Sequence, residues 1–302
     1  MIMRNCLSLC GVQQGDPLGP LYFCCGLQSI VERIAALDNK WYMDDGGIIG
    51  SPELLLKVWE ILQTYGPPLG LQLNPSKCEW SWLNAETSLP CPLDQVALVP
   101  TSEVQMLGVP LGSAEFVSNF VSGKLLTNST KVMAKLAEFD DPQAAMYLLR
   151  LSYGIVRANH FMRTTPLPQW EAVAAKFDVC VRDTVAQILG TTFPGDSYVQ
   201  ACVSTKIGGL GIRRVVDHAD GAFIASRHFA RLFCKEEKWV TPTLCGSGFS
   251  PQSVASESTD VKTWDSLISR ASPRDAQRLR RLDIKHANSW VNSWWTSTQM
   301  RH

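Results

Sequence analysis

The stretch Lys40-Trp41-Tyr42-Met43-Asp44-Asp45-Gly46-Gly47-Ile48-Ile49-Gly50 constrains this chain more than any other. Short apolar runs flank an Asp-Gly pair, the strongest local signature of a β-hairpin. The pattern predicts a hairpin that carries two adjacent carboxylates at its tip. Neighbouring carboxylates in a partly buried hairpin repel each other, and a bound cation would relieve that repulsion. Carboxylate oxygens suit Mg²⁺. Asp-Asp-Gly is also ordinary turn chemistry, because Asp tolerates the left-handed region and bonds its own backbone.

Elements on both sides give the hairpin a context. Before it, Gly11-Val12-Gln13-Gln14-Gly15-Asp16-Pro17-Leu18-Gly19-Pro20 is a glycine- and proline-punctuated loop that lets a ligand approach the backbone closely. Residues 21–37 then place Cys24, Leu27, Ile30, Val31 and Ile34 at helical spacing, a helix expected to pack beneath the hairpin. After the hairpin, Ser51-Pro52 opens a second helix with Leu54, Leu55, Val58, Ile61, Leu62 and Tyr65 in one stripe, and Gly66-Pro67-Pro68 ends it. Cys78, Trp80 and Trp82 alternate with polar residues as in a half-buried strand, 83–100 is turn-rich, and 104–111 reads as a further short strand. The first region is therefore expected to be α+β, with a mixed sheet carrying helices on one face.

From Phe116 onward the period is helical. Val117, Phe120, Val121, Leu125, Val132, Leu136 and Phe139 predict one long helix, with Asn128 interrupting its stripe. Asp141-Pro142 opens another with Met146, Leu149, Tyr153 and Val156 on one side, and Val173, Phe177, Val181 and Ile188 mark a third.

Taken in order, the Gln-Gly loop, a helix, the Tyr-Met-Asp-Asp hairpin and a second helix are followed by Gly70-Leu71-Gln72-Leu73-Asn74-Pro75-Ser76-Lys77-Cys78-Glu79 and Leu107-Gly108-Val109-Pro110-Leu111-Gly112. This series resembles the second to fifth blocks of a reverse-transcriptase palm, and more narrowly those of non-LTR (LINE-type) retrotransposons. The resemblance implies an incomplete palm over 1–112, a helical thumb-like region over 113–240, and a linker plus C-terminal helical segment over 241–302. It implies an RNA-directed DNA polymerase whose partners are an RNA template, a DNA primer and deoxynucleoside triphosphates. Two Mg²⁺ ions would activate the primer hydroxyl and hold the triphosphate.

By residue-wise match, Asp44 is a direct metal ligand and Asp45 a second, weaker one. Lys77 would neutralise or protonate the leaving pyrophosphate. Gln14, Gly15, Asp16 and Pro17 would line the nucleotide and template pocket, with Tyr42 and Met43 near the primer terminus. Leu107, Gly108 and Gly112 belong to the primer grip. The family's first block, with another metal-binding Asp, is expected before the Gln-Gly loop, yet Met1 to Cys10 holds no carboxylate. The fingers and an endonuclease domain are not matched either. Mg²⁺ demands near-ideal octahedral geometry, so the chain as it stands is expected to show little or no polymerase activity. One alternative is a non-enzymatic nucleic-acid-binding remnant of a retroelement. Another is a metal-dependent nuclease, which would need a water-activating His or Glu that the sequence does not place near Asp44.

Formal net charge is zero, so no global basic field points to nucleic acid. Acidic residues outnumber Arg4, Arg33, Lys40, Lys57 and Lys77 up to Gly112, and most Lys and Arg follow Ala114. That asymmetry suits an acidic metal site followed by a strand-holding surface, or simply solvated helix faces. The ten cysteines show no Cys-x-x-Cys pair; Cys24, Cys25 and Cys180 fall on apolar segments and read as reduced core residues of an intracellular protein, nuclear if it acts on chromosomal DNA. Cys6 and Cys10 lack the partners of a zinc set. Asn128-Ser129-Thr130 reads as polar helix surface, and no apolar run is long enough to span a bilayer.

Four later features are read with their alternatives. Ile207-Gly208-Gly209-Leu210-Gly211-Ile212-Arg213-Arg214 is a tight turn opening a helix or, less specifically matched, a phosphate loop. His218 beyond it is expected to be structural. The Ser-, Gly- and Pro-rich 246–260 marks a linker or mobile loop. Arg274, Arg278, Arg281 and Lys285 share a helical face that could track phosphates or be salt-bridged, and Trp290, Trp294 and Trp295 form a packing anchor or a stacking platform.

Overall fold

The computed structural model describes residues 15–83, 90–233 and 252–282, with side chains of the middle stretch described as far as 230. Its fold is α+β, helices with short strands, and it divides into two compact units, Met1–Leu111 and Gly112–His302.

In the first unit the elements run α1 (Gly19–Arg33), β1 (Asp38–Tyr42), β2 (Asp45–Ile49), α2 (Pro52–Tyr65), β3 (Glu79–Trp80), β4 (Ala97–Leu98), β5 (Glu103–Met106) and β6 (Val109–Gly112). Leu27, Ile30 and Ile34 bury one side of the α1 segment, and Val58 answers from α2. Arg33 also stacks on Tyr65, 4.0 Å from the ring centre. Cys24 and Cys25 do not join this core: both are exposed, on the solvent side of α1. Leu54 and Tyr65, expected in the α2 stripe, are exposed as well. The strands form three separate two-stranded ladders, β1–β2, β3–β4 and β5–β6, instead of the single mixed sheet expected. The reason is local: β1–β2 and β5–β6 each close on themselves through a two-residue turn, and the parallel β3–β4 pair is only two residues long. Ladders this small are marginal by themselves and depend on what packs on them.

In the second unit, α3 (Ala114–Val121), a π turn at Ser122–Leu126 and α4 (Thr127–Ala137) form the expected long helix. Its buried residues Val117, Val121, Leu125, Ser129 and Met133 recur every fourth position. In a regular α-helix each step of four overshoots a full turn by about 40°, so four steps would carry the stripe about 160° around the axis. The wider π turn takes up one residue, removing about 100° of that drift. One face can therefore stay buried over its whole length. Ser129 lies on that face and not on the polar surface expected for it.

A second π turn, Leu149–Tyr153, extends α5 (Pro142–Leu148), whose start is capped by Asp141 accepting from the Gln143 and Ala144 amides. It breaks the predicted stripe, so Leu149 is fully buried while Val156 is exposed. There follow α6 (Asn159–Thr164), α7 (Glu171–Ile188), α8 (Ser197–Cys202), α9 (Val215–Phe233), α10 (Gln252–Arg270) and α11 (Pro273–Leu282). Val173, Phe177, Val181 and Ile188 of α7 are buried in the main apolar core, which also takes in Trp170, Phe161, Val215 and Ala222. A smaller cluster joins Val203, Trp264, Leu267 and Leu279, seating α11 on α10. The linker expected up to residue 260 is helical from Gln252, because Asp260 at its middle is buried against Arg213 and the helix packs on α9.

The start of α9 rests on a side chain from α7. Asp178, 7% exposed, accepts from the Val215 amide at 2.8 Å and the Val216 amide at 3.1 Å. Burial lifts its carboxyl from 3.8 to about 6, although the two amides and Arg214 pull the other way. Replacing it with Ala leaves one buried and one partly buried amide without an acceptor and is expected to cost about 3 kcal/mol in denaturant unfolding. Because its folded-state pKa is raised, this group's stabilising contribution is present below pH 3.8 and is lost as the pH climbs through about 6. That slope should be absent from Asp178→Ala.

Candidate functional site

In the first unit the hairpin is built from α1 outward. Asn39 donates through its side-chain amide to the Ile34 carbonyl (3.2 Å) and the Leu37 carbonyl (2.9 Å), tying β1 to the end of that helix. Its carbonyl oxygen in turn accepts from the Trp41 indole at 3.0 Å. Trp41 faces Gly46 across the ladder, and its ring occupies the space a Cβ there would need. This face of the hairpin, Asn39, Trp41 and Ile48, is half-buried.

Tyr42 pairs with Asp45, so the turn residues are Met43 and Asp44, two residues earlier than the Asp45-Gly46 signature predicts. Gly46 serves the Trp41 ring and not the turn. Met43 takes φ 56° while Asp44 does not have a positive φ, the pattern of a type II′ turn, whose first central position favours glycine. Asp44, Asp45 and Tyr42 are exposed, and Tyr42 and Asp45 share a face as a cross-strand pair.

Leu107 and Gly108 form the turn of the β5–β6 hairpin with φ of 50° and 75°, the type I′ pattern that favours Asn-Gly. Met43 and Leu107 are the non-glycine residues with positive φ among the described residues. The two hairpins meet, since a Cβ on Gly47 would lie 3.0 Å from Met106 Cε. Gly47 belongs to the same face of the first hairpin as Tyr42 and Asp45.

Of the other expected site residues, Gly15 has φ 92° with open space where a Cβ would be. Asp16 turns the chain into α1: its carboxylate accepts from the Leu18 amide and its carbonyl from the Gly19 amide. Pro17 is exposed within this turn. Lys77 ends a single 3-10 turn, Pro75–Lys77, that Asn74 caps by accepting from the Ser76 amide; it is exposed. No hydrogen bond or ion pair joins Lys77 to Asp44 or Asp45. Gln14 lies outside the described residues, as do Cys6, Cys10, Lys285, Trp290, Trp294 and Trp295.

Among the described residues no Lys or Arg pairs with Asp44 or Asp45, and no third His, Cys, Asp or Glu joins them in a metal-holding group. Mg²⁺ is often held by one or two carboxylates together with substrate phosphates and water. Two exposed, unpaired carboxylates on adjacent residues fit that mode and not an all-protein cage.

The second unit disposes of the phosphate-loop alternative at Ile207–Arg214. The helix end that would receive a phosphate is already filled by the Asp178 carboxylate, and Gly209 is required because a Cβ would strike the Val203 carbonyl. His218 is 94% buried among α9 and α10. Burial, then Arg213, holds its imidazole below the ordinary value, so its 3.9 Å approach to Asp260 is not an ion pair at neutral pH. No helix among the described residues is long and apolar enough to cross a membrane. No protein-family model, curated protein or solved structure matches the chain.

Two substitutions test the hairpins. Gly46→Ala should drive Trp41 from its place and cost about 1–3 kcal/mol, read as faster hydrogen exchange across 39–48, whereas in a Trp41→Ala background it should cost little. Leu107→Asn, at a half-exposed position, should stabilise the second hairpin by about 1 kcal/mol, since Asn tolerates positive φ.

Proposed function

We propose that this chain is the C-terminal part of a reverse transcriptase of the non-LTR retrotransposon type, an RNA-directed DNA polymerase with Asp44 and Asp45 as its metal-binding pair. The observation that carries the reading is the pair of strained turns. Positive φ in a non-glycine residue costs of order 1–3 kcal/mol and concentrates at working sites. Here it falls at Met43, beside the two carboxylates, and at Leu107, in the segment matched to the primer grip. Those two hairpins touch through Gly47 and Met106.

In this reading Asp44 and Asp45 supply hard oxygen ligands, and Mg²⁺ bound to them would polarise the primer hydroxyl and the triphosphate. Tyr42, exposed on the face shared with Asp45, offers its ring and hydroxyl to the primer end. Gly15 lets the backbone of its loop approach a nucleotide. Lys77 supplies a cation for the departing pyrophosphate. The β5–β6 hairpin, with Leu107, Gly108 and Gly112, bears on the same face of the metal hairpin through Met106 and would hold the primer strand there.

A second reading, nucleic-acid binding without catalysis, draws on α11. Arg274, Arg278 and Arg281 are exposed on it and have no carboxylate partner among the described residues. Phosphate neutralisation by such a stripe is salt-dependent.

The test is extension of a DNA primer on an RNA template with Mg²⁺ and deoxynucleoside triphosphates. The two described carboxylates alone should support weak extension at most, rising when an upstream polymerase segment is supplied and falling to background in Asp44→Asn. Extension that survives Asp44→Asn overturns the polymerase assignment. Salt-sensitive binding that Asp44→Asn leaves intact, with no extension in either form, selects the second reading.

A further inference from the structure

In the second unit α10 and α11 are attached outside the main core. The buried residues of that core run from Val117 to Ala222 and, among the described residues, include none of α10 or α11. The two helices are held by the smaller cluster of Val203, Trp264, Leu267 and Leu279, and by a close crossing in which a Cβ on Gly221 would lie 3.1 Å from Ala255 Cβ. Gln252 adds side-chain hydrogen bonds to Asn159 and Arg163 of α6, and Asp260 meets the start of α9. The pairs Lys206–Glu257 (3.4 Å) and Arg270–Asp196 (3.7 Å) are exposed and add little. An attachment of this size lets two helices open while the rest stays folded.

His218 lies in the seam between α9 and α10, with Nε2 3.9 Å from Asp260 Oδ1 and a buried Nδ1 that has no hydrogen-bond partner among the described residues. The charged groups that act on it are Arg213 and Arg214 just before α9, Asp217 on α9 and Asp260 on α10. They are already matched. Arg213 gives Nη2 to Asp260 at 2.7 Å, and Arg214 grips Asp217 through bonds of 2.7 and 2.8 Å. Two cations thus meet two carboxylates, and the seam is neutral as long as His218 is. A proton on His218 adds a positive charge that no anion is left to balance, and both ring nitrogens then carry hydrogens although Nδ1 has no acceptor. Such a buried charge is costly, and undocking α10 returns it to water. Burial, then Arg213, holds the imidazole below its ordinary 6.5, so the stabilising contribution of neutral His218 is full above pH 6.5 and is lost as the pH falls below it. Asp178 has the opposite sign: its contribution is present in acid, so the same fall does not loosen the start of α9.

We propose that α10 and α11 form an acid-released flap on the helical unit, with His218 as its switch. Protonation of His218 detaches the two helices while the core around Trp170 and Phe177 stays folded. Release uncovers Val203, Trp264 and Leu267 and separates Arg213 from Asp260. The device lies wholly in the helical unit and does not rest on the polymerase reading.

The experiment follows hydrogen exchange of the full chain by mass spectrometry, with each rate divided by that of an unstructured peptide at the same pH. The wild type is compared with His218→Gln, with His218→Phe and with a control, His160→Gln, whose ring is exposed on α6. Between about pH 7.5 and about pH 5, wild-type and control protection over 252–282 should fall by about tenfold per pH unit once the released form alone takes up the proton. Protection of α7, 171–188, should hold throughout. His218→Gln and His218→Phe should keep α10 and α11 protected across the same range. Wild-type protection of 252–282 that does not change with pH overturns the proposal, as does an equal fall in the His218 variants. A fall over 171–188 in step with 252–282 also overturns it, because the opening is then global. In the wild type the imidazole C2 proton of His218, followed by NMR, should titrate together with the release. Release without that titration sinks the proposal even if neither variant folds.

Discussion

The helical unit depends on one buried carboxylate. Asp178 of α7 reaches the first turn of α9 and accepts two of its free amides, which lets that helix begin inside the protein instead of at its surface. Once α9 starts there, Val215, Ala219 and Ala222 enter the main core, and Arg213 is delivered to Asp260 on α10. A residue without an acceptor at 178 would leave the Val215 and Val216 amides unpaired at the start of α9, next to the arginine that α10 holds through Asp260. The surroundings share the low-dielectric character: Cys202 nearby has its thiol pushed up to about 12, with burial as the main cause. These groups are structural, and their perturbed titration reports burial and not chemistry.

A second constraint is the helical repeat. Buried positions spaced by four drift around a regular α-helix, and the helix that carries five of them in succession, from Val117 to Met133, contains a π turn. At Ser122–Leu126 the π turn keeps one face buried from Val117 to Met133. At Leu149–Tyr153 it redirects the chain, burying Leu149 while setting Arg150 against Gly211. The same local widening therefore serves packing in one helix and sets a half-buried arginine on a glycine backbone in the other.

The first unit has a thinner core, and its order comes from close fits. Asn39 links α1 to β1, Trp41 hangs from Asn39 and covers Gly46, and Gly47 leaves room for Met106. Each step needs a small residue opposite a large one. The result is a support beneath a strained Met43-Asp44 turn that leaves Asp44 and Asp45 exposed, with no Lys or Arg partner among the described residues.

Much of this was legible in the residues alone. The start and stop of α2, the start of α5, the α7 stripe, and the existence of a hairpin at Asp44-Asp45 follow from periodicity, Ser-Pro and Asp-Pro starts, and a Gly-Pro stop, which act over a few residues. Only the tertiary structure decided matters that turn on contacts distant in sequence. It moved the turn to Met43-Asp44, because Trp41 claims Gly46; it made 252–260 helical, because Asp260 pairs with Arg213; it exposed Cys24 and Cys25, because α1 is covered on one side only. Local rules rank the conformations a segment prefers by about a kilocalorie per residue, and a buried ring or ion pair outweighs that margin.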